Sequence, residues 1–370
     1  MKVLFVGSHL DKGGGQALQT LQLFRELRNR VDGEYLCLRS VGMHRDLLEG
    51  EDVRIVGTLR YPQGILDLRN AIQAERGDWD LVQVFDFYFG LPAAFLSRAF
   101  PRAVLFGTDP IAEVGWRFGT PVQAVAQVGL PGILKDTELI VNSLALANRF
   151  QRFSPVFIPN GLDLQRFERL PSRAEARRLL RLDPNAPLLV WVGKVVPIKR
   201  VEWILEILRE LPEARFAAVG GYSEEHYGDQ YYRVLRARYS DVMARAIFPG
   251  EVMLPEVDRY LAAADVFVFP SLFEGMPNAV MEAMAAALPA VVSDIPAHRA
   301  ILRQGVTGFL ARDPPEFAAM VSALLDNPEL REEIGRKARE AALADFGFDR
   351  VCDRYLEVYR RMVGSTEPVS

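Results

Sequence analysis

An α/β chain of two doubly wound domains in series is the fold class this sequence predicts, on three observations. Short apolar runs recur along the 370 residues, separated by stretches of helical length and mixed polarity. The runs are continuously apolar rather than alternating, which marks strands buried on both faces, as in parallel sheets covered by helices. They fall into two series of six, divided by a stretch rich in Arg, Pro and Asp. The length suits two domains of ordinary size, and a hydrophobic fraction of 49% supplies two cores.

Taken in order, the first series is 3–6, 35–38, 53–56, 81–84, 103–106 and 139–141, which makes residues 1–160 the first domain. Residues 161–187 read as a linker carrying one helix over 173–182. The second series, 188–192, 216–219, 246–248, 266–269, 290–292 and 309–310, makes 188–345 the second domain. The segment from Phe348 to Met362 has apolar residues at helical spacing and predicts a last helix within 346–363.

Composition narrows the function. A net charge of −4 argues against general nucleic-acid binding, which calls for a basic surface. The two cysteines, Cys37 and Cys352, lie in opposite halves, so neither a disulfide framework nor a zinc spacing exists. Reduced core thiols in the cytoplasm are expected. The apolar run at the start is too short for a signal peptide, and no run of about eighteen apolar residues predicts a spanning helix. Peripheral contact at the inner membrane face stays open.

The stretch Phe267-Val-Phe-Pro-Ser-Leu-Phe-Glu-Gly-Met-Pro-Asn-Ala-Val-Met-Glu282 carries the most chemistry. A strand runs into a turn containing Glu274, and a helix follows with Pro277 suited to its first position. Glu282 then lies in the second turn. The backbone N–H groups of Asn278, Ala279 and Val280, with the helix dipole, are expected to form an anion site between two carboxylates. A diphosphate flanked by hydroxyl-rich rings fits that arrangement, and a nucleotide-sugar is such a molecule. A lone pair of glutamates so spaced is more often solvated surface, so the surrounding string matters.

Two cations follow the first strand of the second domain in Val192-Gly193-Lys194-Val-Val-Pro-Ile-Lys199. Strand, turn and that spacing can place both ammonium groups over a phosphate pair, neutralising charge on a departing nucleoside diphosphate. Near the amino terminus, Gly13, Gly14, Gly15 and Gln16 precede a helical stretch, and glycines there allow close backbone approach to an anion.

These strings resemble the retaining glycosyltransferases of family 4, whose donor signature reads E-G-[MLF]-P-N-x-x-x-E-A-M-A-x-[GA]-x-P-[VA]-V. Ala287 stands where that family usually has Gly, a change expected to tighten helix packing. Lys194 replaces the Arg of G-R-x-x-x-x-K, keeping charge without the bidentate fork. The string from Ile158 to Phe167 is similar to I-P-N-G-V-D-x-x-x-F, where Asn160-Gly161 supplies a turn at the hinge.

The resemblance implies a GT-B fold, two Rossmann-like domains facing a cleft, with the last helix crossing back to the first domain. It implies an acceptor-binding first domain and a donor-binding second domain that close over the reacting carbon. The implied reaction moves a hexose from a UDP- or GDP-sugar to a hydroxyl of a glycan, lipid-linked or small-molecule acceptor, in polysaccharide or glycoconjugate biosynthesis. Lys194 and Lys199 stabilise the diphosphate, Glu274 orients the sugar, and Glu282 holds the ribose diol. Met276 belongs to the same donor string. Gly193, Gly221 and Val252 fall at strand ends, the last two lining the base pocket through backbone atoms. Gly14, Gly15 and Gln16 reach the phosphates from the other domain.

The first domain departs from the family, because the histidines usual after its fourth and fifth strands are replaced by Phe85-Asp86 and Thr108-Asp109. Asp109 and Asp86 are expected at the acceptor, with Asp109 also reaching the donor sugar; His9 and Tyr88 are weaker acceptor candidates. No carboxylate or His cluster has metal spacing, so neither metal nor cofactor is expected. Two rivals remain: a nucleotide-sugar epimerase or phosphorylase on the same fold, and a non-catalytic sugar-nucleotide-binding subunit.

Overall fold

The computed structural model describes residues 1–7, 15–39, 52–75, 77–107, 110, 120–221 and 228–364. The chain divides into two compact units, one of Met1–Gly161 with Phe348–Ser370, the other of Leu162–Gly347.

In the first unit, β1 (Lys2–Gly7), β2 (Asp32–Arg39), β3 (Val53–Thr58), β4 (Leu81–Val84), β5 (Arg102–Phe106), β6 (Glu138–Val141) and β7 (Val156–Phe157) form one parallel sheet. Its order is β3-β2-β1-β4-β5-β6-β7, with the direction of winding reversing between β1 and β4. Side chains alternate across the sheet. Val3 and Phe5 join a core on one face, and Leu4 and Val6 join another on the opposite face. The first of these cores includes Val351, Cys352, Tyr355 and Tyr359 of the last helix, Phe348–Val363. That helix is therefore part of the first unit. Tyr359 Oη donates to Gln83 Oε1 at 3.0 Å, and Arg30 pairs with both Asp349 and Asp353. β7, only two residues long, is too short to stand out as an apolar run.

In the second unit, β8 (Leu188–Val192), β9 (Arg215–Val219), β10 (Ala246–Gly250), β11 (Val266–Phe269), β12 (Ala290–Ser293) and β13 (Phe309–Ala311) pair in parallel in the order β10-β9-β8-β11-β12-β13. β11 and β12 are buried along their whole length, which is why they read as unbroken apolar runs. The helix Arg173–Leu179 belongs to this unit through Arg177, which is 1% exposed. Arg177 donates to the carbonyls of Ala263, Asp183, Pro184 and Ala186 and pairs with Asp265, whose Oδ2 also accepts from Leu188 N. One buried cation thus fixes the starts of β8 and β11. No helix of the described residues is long and apolar enough to cross a membrane.

Candidate functional site

Parallel strands bring their carboxyl ends to one edge of a sheet, the edge at which such folds bind ligands. In the second unit that edge carries Gly193 and Lys194 after β8, Gly220 and Gly221 after β9, Glu251 and Val252 after β10, and Ser271 and Glu274 after β11. Gly193 N donates to Val219 O and Val195 N to Gly221 O, so the first two loops run together. Gly220 has φ +138°, and a Cβ there would lie 1.8 Å from Gly193 O. Only glycine fits that crossing.

The lysine loop and the glutamate turn meet. Pro197–Lys199 forms one 3-10 turn, and Leu272 N donates to Ile198 O at 2.8 Å. Lys199 Nζ then reaches Glu274 Oε1 at 2.5 Å and lies 5.3 Å from the centre of the Phe269 ring. Buried Ser271 donates from Oγ to the same Glu274 oxygen at 2.5 Å. Both donors use Oε1, so among the described residues Oε2 is the oxygen left to accept from a ligand. Lys194, by contrast, is exposed and joins none of the ion pairs among the described residues.

Below this turn, Ser293 Oγ donates to Ser271 O at 2.5 Å, and His298 Nδ1 is 2.7 Å from Ser293 O. A carbonyl only accepts, so Nδ1 carries the proton. His298 is fully buried, and burial pushes it down to about 4, so it is neutral at ordinary pH. The stack from His298 through Ser293 and Ser271 sets the height of Glu274.

The helix after the turn is Asn278–Ala285, with Pro277 as its N-cap, so it begins one residue later than Pro277 as first position would have it. The expected row of open N–H groups is also corrected. Asn278 N donates to Met276 O and Val280 N to Pro277 O, because the chain tightens into short turns on entering the helix. Of the three, only Ala279 N–H is taken by no backbone carbonyl of the described residues. Met276 packs against the core. At the other end, Leu288 N donates to Ala283 O and Ala287 N to Met284 O, closing a Schellman motif with Ala287 at φ +56°. Ala287 thus occupies a left-handed position that favours glycine. The expected tightening of packing is replaced by a strained cap.

Glu282 faces a partner that sequence reasoning missed. Arg166 donates from Nη1 to Glu282 Oε1 at 2.9 Å and from Nε to Asp258 Oδ1 at 2.6 Å. The side chains of Arg166, Asp258 and Glu282 are 14%, 16% and 17% exposed. Burial pushes the Glu282 carboxyl up, and the Arg166 charge pulls it back only in part. Burial works against the Arg166 cation too, but Glu282 and Asp258 outweigh it and raise its value. Arg166 lies inside the string that ends at Phe167, whose spacing marks only a turn. Asp258 is 92 residues away from it, beyond any spacing rule.

In the first unit, His9, Gly14 and Asp109 lie outside the described residues, and Gly15 and Gln16 open the helix Gly15–Arg28. Asp86 Oδ1 accepts from the backbone N–H groups of Tyr88, Phe89 and Gly90, which fixes the start of the helix Gly90–Leu96. Tyr88 packs on Phe87 with ring centres 4.1 Å apart.

Residues 186–327 match the family described as Glycosyl transferases group 1. A D-inositol 3-phosphate glycosyltransferase of Kineococcus radiotolerans is 32% identical over 228 residues, covering 56% of this chain and 52% of that protein. A sulfoquinovosyl transferase of Arabidopsis thaliana is 30% identical over 217 residues, covering 57% and 40%. The chain thus spans about half the length of the curated relatives it matches. Among solved structures, Anabaena HepE in complex with UDP and glucose superposes with a TM-score of 0.80 at 19% identity, covering 98% of this chain and 100% of that one. Sucrose-phosphate synthase from Thermosynechococcus elongatus gives 0.80 at 18%, covering 98% and 99%. At those identities the likeness concerns the fold, and the fold is GT-B.

Proposed function

We propose that this protein is a glycosyltransferase of family-4 type, a reading supported by the match of residues 186–327 to Glycosyl transferases group 1 and by the GT-B fold. Its donor is a UDP-sugar, its acceptor a hydroxyl of a glycan, lipid-linked or small-molecule substrate, and its setting glycoconjugate or polysaccharide biosynthesis. The observation that carries the reading is the Lys199–Glu274 pair at the carboxyl edge of β8 and β11, beside the start of the helix Asn278–Ala285. A phosphate binder and a hydroxyl acceptor stand next to each other there, as a sugar diphosphate requires.

In this reading Lys199 and Lys194 take the negative charge that gathers on the diphosphate as the bond to the sugar breaks. Ala279 N–H donates to a phosphate oxygen at the positive end of its helix. Glu274 Oε2 accepts from the sugar hydroxyls, and Glu282 accepts from the ribose diol. The lysines supply the charge that a metal supplies elsewhere, so the transfer is metal-independent. The departing phosphate oxygen takes the acceptor proton on the same face, so the anomeric configuration is retained.

Two findings favour UDP over GDP: the HepE structure holds UDP, and a relative from Escherichia coli, 27% identical, is named a UDP-Gal-dependent galactosyltransferase. Calorimetry with UDP and GDP, followed by release of the nucleotide from a panel of sugar donors, tests the reading. Binding of UDP with turnover of at least one UDP-sugar is expected. Failure to bind either nucleotide overturns it. Conversion of a UDP-sugar into its epimer, with no transfer, would favour an epimerase.

A further inference from the structure

We propose that Arg166 is a positioning residue for the donor nucleotide: it holds Glu282 charged and aimed, so that the carboxylate can accept from both ribose hydroxyls. The inference rests on the reading of Glu282 as the ribose-binding carboxylate and adds the device that makes it work.

The geometry comes from three helices. Arg166 stands on the short helix Leu164–Glu168, capped by Asp163, whose Oδ1 accepts from Gln165 N and Arg166 N. Its guanidinium carbon is 4.8 Å from the centre of the buried Phe167 ring, which limits how the side chain can swing. From there the fork reaches Asp258 on Leu254–Ala263 through Nε and Glu282 on Asn278–Ala285 through Nη1. A fourth helix, Pro328–Asp345, braces the arrangement. Arg339 donates to Ala285 O at 2.7 Å and to Phe167 O at 3.4 Å, so the helices that carry Glu282 and Arg166 are tied to one side chain.

The electrostatics explain why a cation is needed. Among the described residues the charged groups facing Glu282 are Arg166 from one helix and Asp258 from another, with Arg339 at the far end of its own helix. Burial and the nearby Asp258 both disfavour the ionised carboxyl, and among the described residues Arg166 alone opposes them. A protonated Glu282 has one oxygen turned into a donor and, with Arg166 already on Oε1, is left as a weaker, uncharged acceptor for the two hydroxyls. Arg166 bonds only Oε1, leaving Oε2 and the second lone pair of Oε1 for the diol. Removing the charge while leaving an apolar stem raises the carboxyl further, so ribose recognition becomes dependent on pH.

The test compares whichever of UDP and GDP binds better with its 2′-deoxy counterpart, by calorimetry on the full chain between about pH 6 and pH 8.5. The unaltered protein should prefer the ribonucleotide by about tenfold, the worth of a hydrogen bond to a charged acceptor. In Glu282→Ala that preference should fall to about one at every pH. In Arg166→Met, with Arg166→Gln as a second neutral variant, it should fall, and fall further at the low end of that range than at the high end, because burial then pushes the carboxyl up unopposed. Arg166→Lys keeps the charge and should keep the preference. A ratio in the neutral variants that does not change with pH, whether kept or lost, overturns the role of Arg166. If Glu282→Ala itself retains the preference, the ribose assignment falls first and takes Arg166 with it.

Discussion

Lys199 Nζ and Glu274 Oε1 lie 2.5 Å apart, so the cation proposed for the phosphate and the carboxylate proposed for the sugar share one ion pair. Ser271 donates to the same oxygen, and the 3-10 turn that carries Lys199 is stitched to the glutamate turn by Leu272. The two groups therefore hold their spacing as a unit. Their separation is set by the fold rather than by the ligand, the form of preorganisation that lowers a barrier without reorganisation cost.

Lys199→Ala should lower turnover on the order of a hundredfold, as removal of one oxyanion donor does. It also leaves Glu274 beside Ser271 without its cation, so Glu274 loses its fixed orientation. Steady-state kinetics with a UDP-sugar would show the loss mainly in kcat. A variant with unchanged kcat would mean that Lys199 serves only to hold the turn.

Metal independence gives a second expectation. With two lysines proposed for the phosphates, turnover should survive EDTA with less than about twofold change. Activity abolished by chelation and restored by Mn²⁺ would sink this part of the mechanism.

Stereochemistry gives a third. A same-face reaction needs no enzymic base, so an α-linked donor should give an α-linked product, and Asp109→Asn should keep measurable turnover. A β-anomeric coupling in the proton NMR spectrum of the product, with an inactive Asp109→Asn chain, would make Asp109 the base of an inverting enzyme.

Ala287 supplies a test of stability. At φ +56° in the helix-capping position, Ala carries a steric penalty of about 1 kcal/mol that Gly does not. Ala287→Gly should therefore raise unfolding free energy by about that amount and Tm by a few degrees. A Cβ at Gly335 of the neighbouring helix would lie 2.1 Å from Ala287 O, so the opposite exchange there, Gly335→Ala, should destabilise. Calorimetric scans of both variants check the pair.

His298 gives the fold a dependence on pH. Folding lowers it from 6.5 to about 4 by burial, and the neutral ring is the form that fits. Such a group contributes stability that is complete above about pH 6.5 and is lost as pH falls toward 4, up to about 3 kcal/mol. Urea titrations at pH 7 and pH 4.5 should show His298→Asn losing less stability on acidification than the unaltered protein does. Equal slopes would mean that carboxylates carry the whole effect.

Much of the site can be read along the chain because its parts are local. Glu274, Pro277 and Glu282 fall in one strand–turn–helix stretch, and Gly193 to Lys199 fall in another. Apolar runs betray twelve of the thirteen strands of the described residues, and the last helix shows its face by spacing alone. These signals survive in one dimension because each follows from a contact period of a few residues. The resemblance to family 4 rests on the same local strings, and those of the second unit fall within the match of residues 186–327 to Glycosyl transferases group 1.

Tertiary structure alone decided which charges meet. Lys199 and Glu274 are 75 residues apart, Arg166 and Glu282 116, Arg166 and Asp258 92, and no local energy term links any of these pairs. Their encounter depends on the strand order β10-β9-β8-β11-β12-β13, which places β8 beside β11 although two strands and their helices intervene in sequence. It also decided that Asn278 and Val280 turn their N–H groups inward and that Ala287 takes a left-handed cap, since backbone dihedrals at a helix end answer to packing on both sides. Composition and spacing determined what chemistry this chain carries. Sheet order, by bringing distant strand ends to one edge, decided which residues can act on the same ligand.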